Sequence, residues 1–320
     1  MISDAHAAAQ RGDFPAAAKI LEAAAAAGDR DAALELAWWN FQGRGIPRSL
    51  NCARRYFGRA ALLGHAGARL IYAALLANGT GGDSDWRAAI DELQAATSDG
   101  IRDASTQLDL IRAMALNSAG DPARNPEGEE LSAHPSLQMF RNFLSPNECA
   151  YLIRAATPAF VAASVGHVAG IGKQIVPQVR TCDAAGFPWV AENPVVNAIN
   201  RRIAAASGTQ ADWGEPLQVL RYRPGQEFRP HRDCTADVAN QRILTMLIYL
   251  NEDYSGGETL FLKTGLKVRG RTGDALLFRN ADDNGAPDMD TLHAGLPVQS
   301  GEKYLASRWI RRRRFGPANE

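Results

Sequence analysis

The hydrophobic pattern of the chain changes character near residue 118. Before that point the sequence is alanine-rich and repeats every 36 residues. Gly28, Gly64 and Gly100 mark the period. Ala32, Ala68 and Ala104 follow at one offset, Leu36, Tyr72 and Leu108 at another. Gly43 also matches Gly79, and Ala60 matches Ala96. A helix-friendly repeat of this length predicts helix-turn-helix units stacked into a solenoid. Small residues let the helices approach closely, while Leu36, Tyr72 and Leu108 fill the space between them. Gly28, Gly43, Gly64 and Gly79 suit left-handed helix ends.

Residues 119–135, AGDPARNPEGEELSAHP, lose this periodicity and read as a linker. Beyond it the pattern changes. Ser145, Pro146 and Glu148 form the signature of a helix start with a capping box. A second helix is expected from Asn193-Pro194 through VVNAINRRIAAAS. After Glu215 the apolar positions switch to strand spacing. LQVLRY alternates, ILTMLIYL is a buried apolar run, and ETLFL, LKV, DALLF and KYLASRWIRRR follow, with YSGGE and RGRTGD as turns. Many short strands with glycine turns predict a sandwich or barrel. The expected architecture is therefore α+β and multidomain. A helical repeat domain covers 1–118, a linker 119–135, and a β domain with supporting helices 136–320.

Composition narrows the function class. The 320 residues carry 35 basic and 35 acidic side chains, a formal net charge of +0, so no global field draws nucleic acid or a membrane surface. The block Arg311 to Arg314 is expected to be a charged surface edge. No signal peptide and no apolar stretch of membrane-spanning length are visible. Four scattered cysteines, Cys52, Cys149, Cys182 and Cys234, form no Cys-x-x-Cys pair, which argues against a structural zinc site or a disulfide framework. A cytoplasmic setting is the expectation.

Chemistry concentrates in RPHRDC. His231 and Asp233, at i and i+2, share one face of a strand and can share a ligand. Only six histidines exist. His293, in the late strand pattern TLHAG, can lie beside His231 if the strands wrap into a jelly roll. Two histidines and a carboxylate are the facial set of non-haem Fe(II) oxygenases, but zinc hydrolases use similar sets. Lys303 separates the two. A lysine directed into a small barrel needs an anion, and the distal carboxylate of metal-chelated 2-oxoglutarate would supply one.

Two resemblances sharpen this reading. AWWNFQGRGI and RRYFGRAALLGHAGA, with the 36-residue period, resemble Sel-one-like repeats, relatives of tetratricopeptide repeats, over roughly residues 28–118. Residues from about 137 to 313 resemble the prolyl 4-hydroxylase type of Fe(II)/2-oxoglutarate dioxygenase. NFLSPNECAYLI, VRTCDAAGFPW, LQVLRYRPGQEFRPHRDC, QRILTMLIYLNEDYSGGETLFL, GDALLFRN and LHAGLPVQSGEKYLASRWIR carry that match in order.

The second resemblance implies a double-stranded β-helix, or jelly roll. It implies that His231, Asp233 and His293 ligate Fe(II), and that Lys303, Tyr222 and Thr259 bind 2-oxoglutarate. Arg242 and Trp309 match positions near the substrate, and Arg180 an arginine on a mobile segment covering the peptide. Dioxygen is the oxidant and ascorbate the expected reductant. A prolyl residue of a peptide or protein is the implied substrate, with succinate and carbon dioxide released. The same chemistry on a free amino acid or biosynthetic small molecule is the alternative, and a non-catalytic repeat scaffold a lesser one. The repeats imply a protein partner, and SVGHVAGIGKQ, with His167, reads as a lid.

Two positions depart from the family pattern. Cys182 stands where serine is usual, and Cys234 where an aromatic residue is usual. Asp282, Asp283, Asp288 and Asp290 could suggest calcium, but a solvated loop is the expectation.

Overall fold

The computed structural model describes residues 2–163, 179–235 and 239–316. They form two compact units. One contains residues 2–123 with 188–199, the other residues 124–187 with 200–316.

The first unit is helical. Its helices are α1 (Ile2–Gln10), α2 (Phe14–Ala26), α3 (Arg30–Gln42), α4 (Leu50–Leu62), α5 (Ala66–Asn78), α6 (Trp86–Ser98) and α7 (Arg102–Ala113). The starts of α2, α4 and α6 recur every 36 residues, as do those of α3, α5 and α7. One period is therefore one helix pair. The boundaries are written locally. Asp13, Asp29, Ser49 and Asp85 each accept a first-turn amide at a helix N-terminus, and His65 does the same through its ring. Gly43 and Gly79 close α3 and α5 in the left-handed conformation, as expected. Burial follows the period: Leu21, Leu36, Trp39, Phe57 and Leu75 fill one core among alanines, and Leu93 and Leu108 another.

The second unit begins with β1 (Glu129–Ser132) and β2 (Leu137–Phe140), followed by α8 (Pro146–Ala156), β3 (Val161–Ala162), β4 (Asp183–Gly186) and, from residue 200 on, α9 (Pro194–Ser207). Strand β1 lies within the stretch read as linker. It runs antiparallel to β2, so backbone pairing rather than apolar spacing creates it. The expected capping box is present: Ser145 Oγ accepts from the Glu148 amide, and Glu148 Oε2 from the Ser145 amide. Buried Glu148 also binds Arg202 of α9 at 2.7 Å.

The remaining strands are β5 (Gln218–Tyr222), β6 (Phe228–His231), β7 (Arg242–Tyr249), β8 (Tyr254–Gly256), β9 (Thr259–Phe261), β10 (Leu266–Val268), β11 (Ala275–Arg279), β12 (His293–Gly295), β13 (Val298–Gly301) and β14 (Lys303–Arg311). They build the expected jelly roll. A large sheet runs β1-β2-β11-β7-β14-β5-β4-β3, and a smaller one β10-β9-β12-β6. Strand β7 lies between β11 and β14 and is buried along nearly its whole length, which explains its unbroken apolar run. Thr245 is the exception in that run. Its hydroxyl must find a partner or be lost to burial.

The block Arg311 to Arg314 runs from a buried first residue to an exposed charged edge at Arg313 and Arg314, and each side chain is tied to the fold. Arg311 is buried against Glu215 at 2.7 Å, Arg314 pairs with Asp212, and Arg312 and Arg313 donate to backbone carbonyls. No helix among the described residues is long and apolar enough to cross a membrane.

Candidate metal centre and its cleft

Strand register brings the metal-ligating candidates together. In the antiparallel pairing of β6 with β12, His231 faces His293 across the ladder. Asp233 lies just beyond the end of β6. The three side chains each offer a ligand atom, and these atoms fall within 4.8 Å of one another. Among the described residues they form the one such cluster of histidine, cysteine and carboxylate groups.

Both imidazoles are held in the form a metal needs. His231 Nδ1 lies 2.8 Å from the Arg229 carbonyl and His293 Nδ1 lies 2.9 Å from the Thr291 carbonyl. A carbonyl only accepts, so each Nδ1 carries a proton and Nε2 is the ring atom left to ligate. Those Nε2 atoms point at Asp233, 3.6 Å and 3.9 Å from its oxygens. Phe228 stacks on His231 at 3.4 Å between centroids, and Phe278 meets the His293 ring edge-on. Burial, then His293, pushes the His231 imidazole down to about 4, so it stays neutral. Burial opposes the Asp233 charge, but His293, His231 and the Thr245 hydroxyl together hold that carboxyl below its ordinary value. Two imidazoles whose Nε2 atoms face one buried carboxylate fit a divalent metal.

The cleft behind these residues is lined by Tyr222, Thr259, Lys303, Trp309 and Arg180 as well as the three ligand candidates. Register again explains the grouping, since Lys303 of β14 sits opposite Tyr222 of β5. Lys303 is 3% exposed. Its Nζ donates to the Gly257 carbonyl at 2.7 Å and lies over the rings of Tyr222 and Tyr249. Burial brings the Lys303 ammonium down to about 8. The carbonyl it uses depends on glycine. Gly257 has φ 69°, and a Cβ there would come 3.1 Å from Val298 and 3.2 Å from Lys303 itself. An ammonium with one carbonyl and two ring faces retains capacity for an anion.

Arg180 is buried, bridges Phe228 of β6, lies over its ring and lines the cleft. Its Nε donates to Cys182 Sγ at 3.2 Å, so the thiol in the usual serine position still serves as an acceptor for the guanidinium. The expected lid, residues 164–174 with His167, lies outside the described residues.

Arg242, expected near the substrate, sits behind Trp309 at the edge of the cleft. It does not line the cleft. Its guanidinium binds Glu215 through two bonds of 2.5 and 2.8 Å and lies 3.7 Å above the Trp309 ring. A half-buried guanidinium finds its carboxylate first, and Arg242 meets the cleft through Trp309 and through its charge on Asp233. The acidic loop behaves as expected of a self-contained turn. Asp282 accepts from Asn284 and Ala286, Asp283 from Arg279, Asp288 from Asp290, and Asp290 from Lys263.

Several residues of the site escaped the sequence reading. Thr245 donates to Asp233 Oδ2 at 2.6 Å, and Asn280 donates to Thr245 at 2.7 Å. Glu215 anchors Arg242 and Arg311. Thr245 left one signal, a lone hydroxyl in a buried apolar strand. Cys234 is accounted for here: its Sγ donates to the Asn280 carbonyl at 3.1 Å, where an aromatic ring could not.

Residues 217–311 match the 2OG-Fe(II) oxygenase superfamily. The chain is 37% identical over 208 residues to prolyl 4-hydroxylase 1 of Arabidopsis thaliana, a match covering 59% of this chain and 73% of that protein. A viral collagen prolyl hydroxylase from Paramecium bursaria Chlorella virus-1, solved with 2OG, is 32% identical, with a TM-score of 0.43, covering 55% of this chain and 95% of that one. A Sel1 repeat protein from Oxalobacter formigenes aligns at 22% identity and a TM-score of 0.28, over 33% of this chain and 96% of that one. The repeat assignment rests not on that likeness but on the 36-residue period and the helix pairs that carry it. With the His-Asp-His cluster, the buried lysine and the Arabidopsis match in place, the chain belongs to the prolyl 4-hydroxylase family of the 2OG-Fe(II) oxygenases and is a 2-oxoglutarate-dependent dioxygenase.

Proposed function

We propose that the protein hydroxylates a prolyl residue within a peptide or protein. The observation that carries this reading is the placement of Lys303. It is a buried ammonium with one carbonyl partner among the described residues, in the same cleft as the three ligand candidates. A hydrolytic zinc site has no use for it, whereas a dicarboxylate cosubstrate does.

His231, Asp233 and His293 would hold Fe(II) through Nε2 and carboxylate oxygens. With 2-oxoglutarate and dioxygen, Fe(II) supplies the oxidising chemistry that puts one oxygen atom into a C–H bond as the cosubstrate becomes succinate and carbon dioxide. The chain's own residues bind, orient and enclose. Lys303 neutralises the far carboxylate of 2-oxoglutarate, with Thr259 and Tyr222 at the same end of the cleft. Phe228, Phe261 and Phe278 wall the imidazoles with rings. Trp309 offers a flat apolar face for a pyrrolidine, and Arg242 fixes the other side of that ring. Arg180 supplies a donor at the cleft for a substrate carbonyl.

The test is succinate release with Fe(II), ascorbate and 2-oxoglutarate. A proline-containing peptide is expected to stimulate release well above the uncoupled rate and to gain one oxygen atom by mass. The same peptide with proline replaced by alanine should do neither. If free amino acids are oxygenated and peptides are not, the peptidyl-proline assignment fails.

A further inference from the structure

Thr245 and Asn280 form a relay that ends on Asp233. Asn280 Nδ2 donates to Thr245 Oγ1 at 2.7 Å, and Thr245 Oγ1 donates to Asp233 Oδ2 at 2.6 Å. All three residues are buried, Asn280 to 0% exposure. A threonine hydroxyl has one proton and can also accept. Because an amide N–H occupies its acceptor side, the hydroxyl proton is committed to the carboxylate. An Asn280 turned the other way would present an oxygen, and that single proton would face two acceptors.

The amide orientation has a cost that the fold accepts. Asn280 Oδ1 is buried with no hydrogen-bond partner among the described residues. A buried unpaired oxygen calls for an explanation, and the relay gives one: the arrangement that leaves Oδ1 alone is the one that fixes the Thr245 proton. The backbone of Asn280 is clamped to keep it so. Its amide donates to the Ile243 carbonyl at 2.8 Å, and its carbonyl accepts from the Asp288 amide at 2.8 Å and from Cys234 Sγ at 3.1 Å. Cys234 directly follows Asp233, so the thiol ties the ligand segment to the residue that governs it.

We infer that Asn280 is a positioning residue for the metal centre, acting through Thr245 to occupy Asp233 Oδ2 and orient the carboxylate so that Oδ1 faces the metal. The inference rests on the metal-site reading of His231, Asp233 and His293. Outer partners of this kind affect affinity by roughly 10- to 100-fold when removed.

The experiment uses the full chain and Co(II) alone as probe, read by its d–d absorption and by titration. Wild type is expected to bind one Co(II), and His293→Ala to abolish the band. Should wild type show no site dependent on His293, the metal-site reading itself fails. Given a wild-type site, Asn280→Ala and Thr245→Val are each expected to weaken Co(II) binding roughly 10- to 100-fold and to move the band at saturation. Thr245→Ser, which keeps the hydroxyl, is expected to retain affinity and band position. A variant that only loosened the fold would lower the melting temperature of the metal-free chain without moving the saturated band. Wild-type affinity and an unmoved band in Thr245→Val overturn the relay, whether or not Asn280→Ala folds.

Discussion

The helical unit and the β unit reach their structures by opposite routes. In the helical unit, one set of local instructions is issued three times. A cap, a run of alanine with a few large residues and a glycine recur every 36 residues, and each helix pair needs only its neighbours. In the β unit nothing repeats, and the residues that matter are far apart in sequence. His231 meets His293, and Tyr222 meets Lys303, because strands pair in a given register. A one-residue slip would turn each to the wrong face. The lesson is about where information lies. In the first unit it lies in the period. In the second it lies in the few polar residues that interrupt apolar strands, since each needs a partner that the register must supply.

The contrast predicts that substitutions in the β site remove chemistry out of proportion to stability. His293→Ala should show the largest effect. It deletes a metal ligand, and losing several kcal/mol of transition-state stabilisation lowers turnover by roughly a thousandfold or more. The melting temperature of the metal-free protein should barely fall. Succinate release and a thermal melt measured together check this, and turnover above a tenth of wild type would erase the distinction between the units.

The reverse pattern belongs to the helical unit. Phe57 is fully buried in its core and meets Trp38 edge-on. Phe57→Ala should cost about 3–5 kcal/mol of stability, read as a lower denaturation midpoint. Turnover per folded molecule should stay within about twofold of wild type, because no residue of that core lines the cleft. A rise in KM for a peptide substrate alone, with KM for 2-oxoglutarate unchanged, would sharpen the comparison instead: the repeats would then be reading substrate.

How much of this was legible follows the same division. The solenoid could be read from Gly28, Gly64, Gly100 and their companions because a period is a local signal repeated. The three ligand candidates and Lys303 could be read because such residue types are costly in apolar strands. The ion pair of Arg242 could not be read, because the sequence does not show that Glu215 lies across from it, 27 residues earlier. Asn280 was invisible for a similar reason. It looks like an ordinary residue at the end of DALLFRN until β11 pairs with β7 and sets it beside Thr245. Strand β1 went unread because the pairing that makes it belongs to its partner as much as to itself.

A pH series probes the cleft more gently. Lys303, brought down to about 8 by burial, is an ammonium below that value and neutral above it. KM for 2-oxoglutarate should therefore hold steady below about pH 7 and rise about tenfold per unit above pH 8. Stability should move the other way. Between about 8 and the ordinary lysine value of 10.5 the unfolded chain holds a proton that the folded chain has lost, an imbalance that favours the folded state as pH rises. Lys303→Arg, charged throughout, should flatten the KM profile whatever it does to its level. A KM profile that stays flat in wild type would remove Lys303 from cosubstrate binding.

The smallest effect tests whether the repeat boundaries are as local as the comparison requires. Asp29 caps α3 by accepting from the amides of Asp31 and Ala32 at 3.0 and 3.1 Å. Asp29→Ala should cost about 1 kcal/mol, and Asp85→Ala, at the start of α6, about the same. Caps at separate helix starts share no partner, so the double variant should lose the sum to within about 0.5 kcal/mol. Chemical denaturation of the two single variants and the double variant decides this. A deficit well beyond the sum would mean that the helix pairs depend on each other for their boundaries, and the helical unit would then owe its form to long-range pairing as the β unit does.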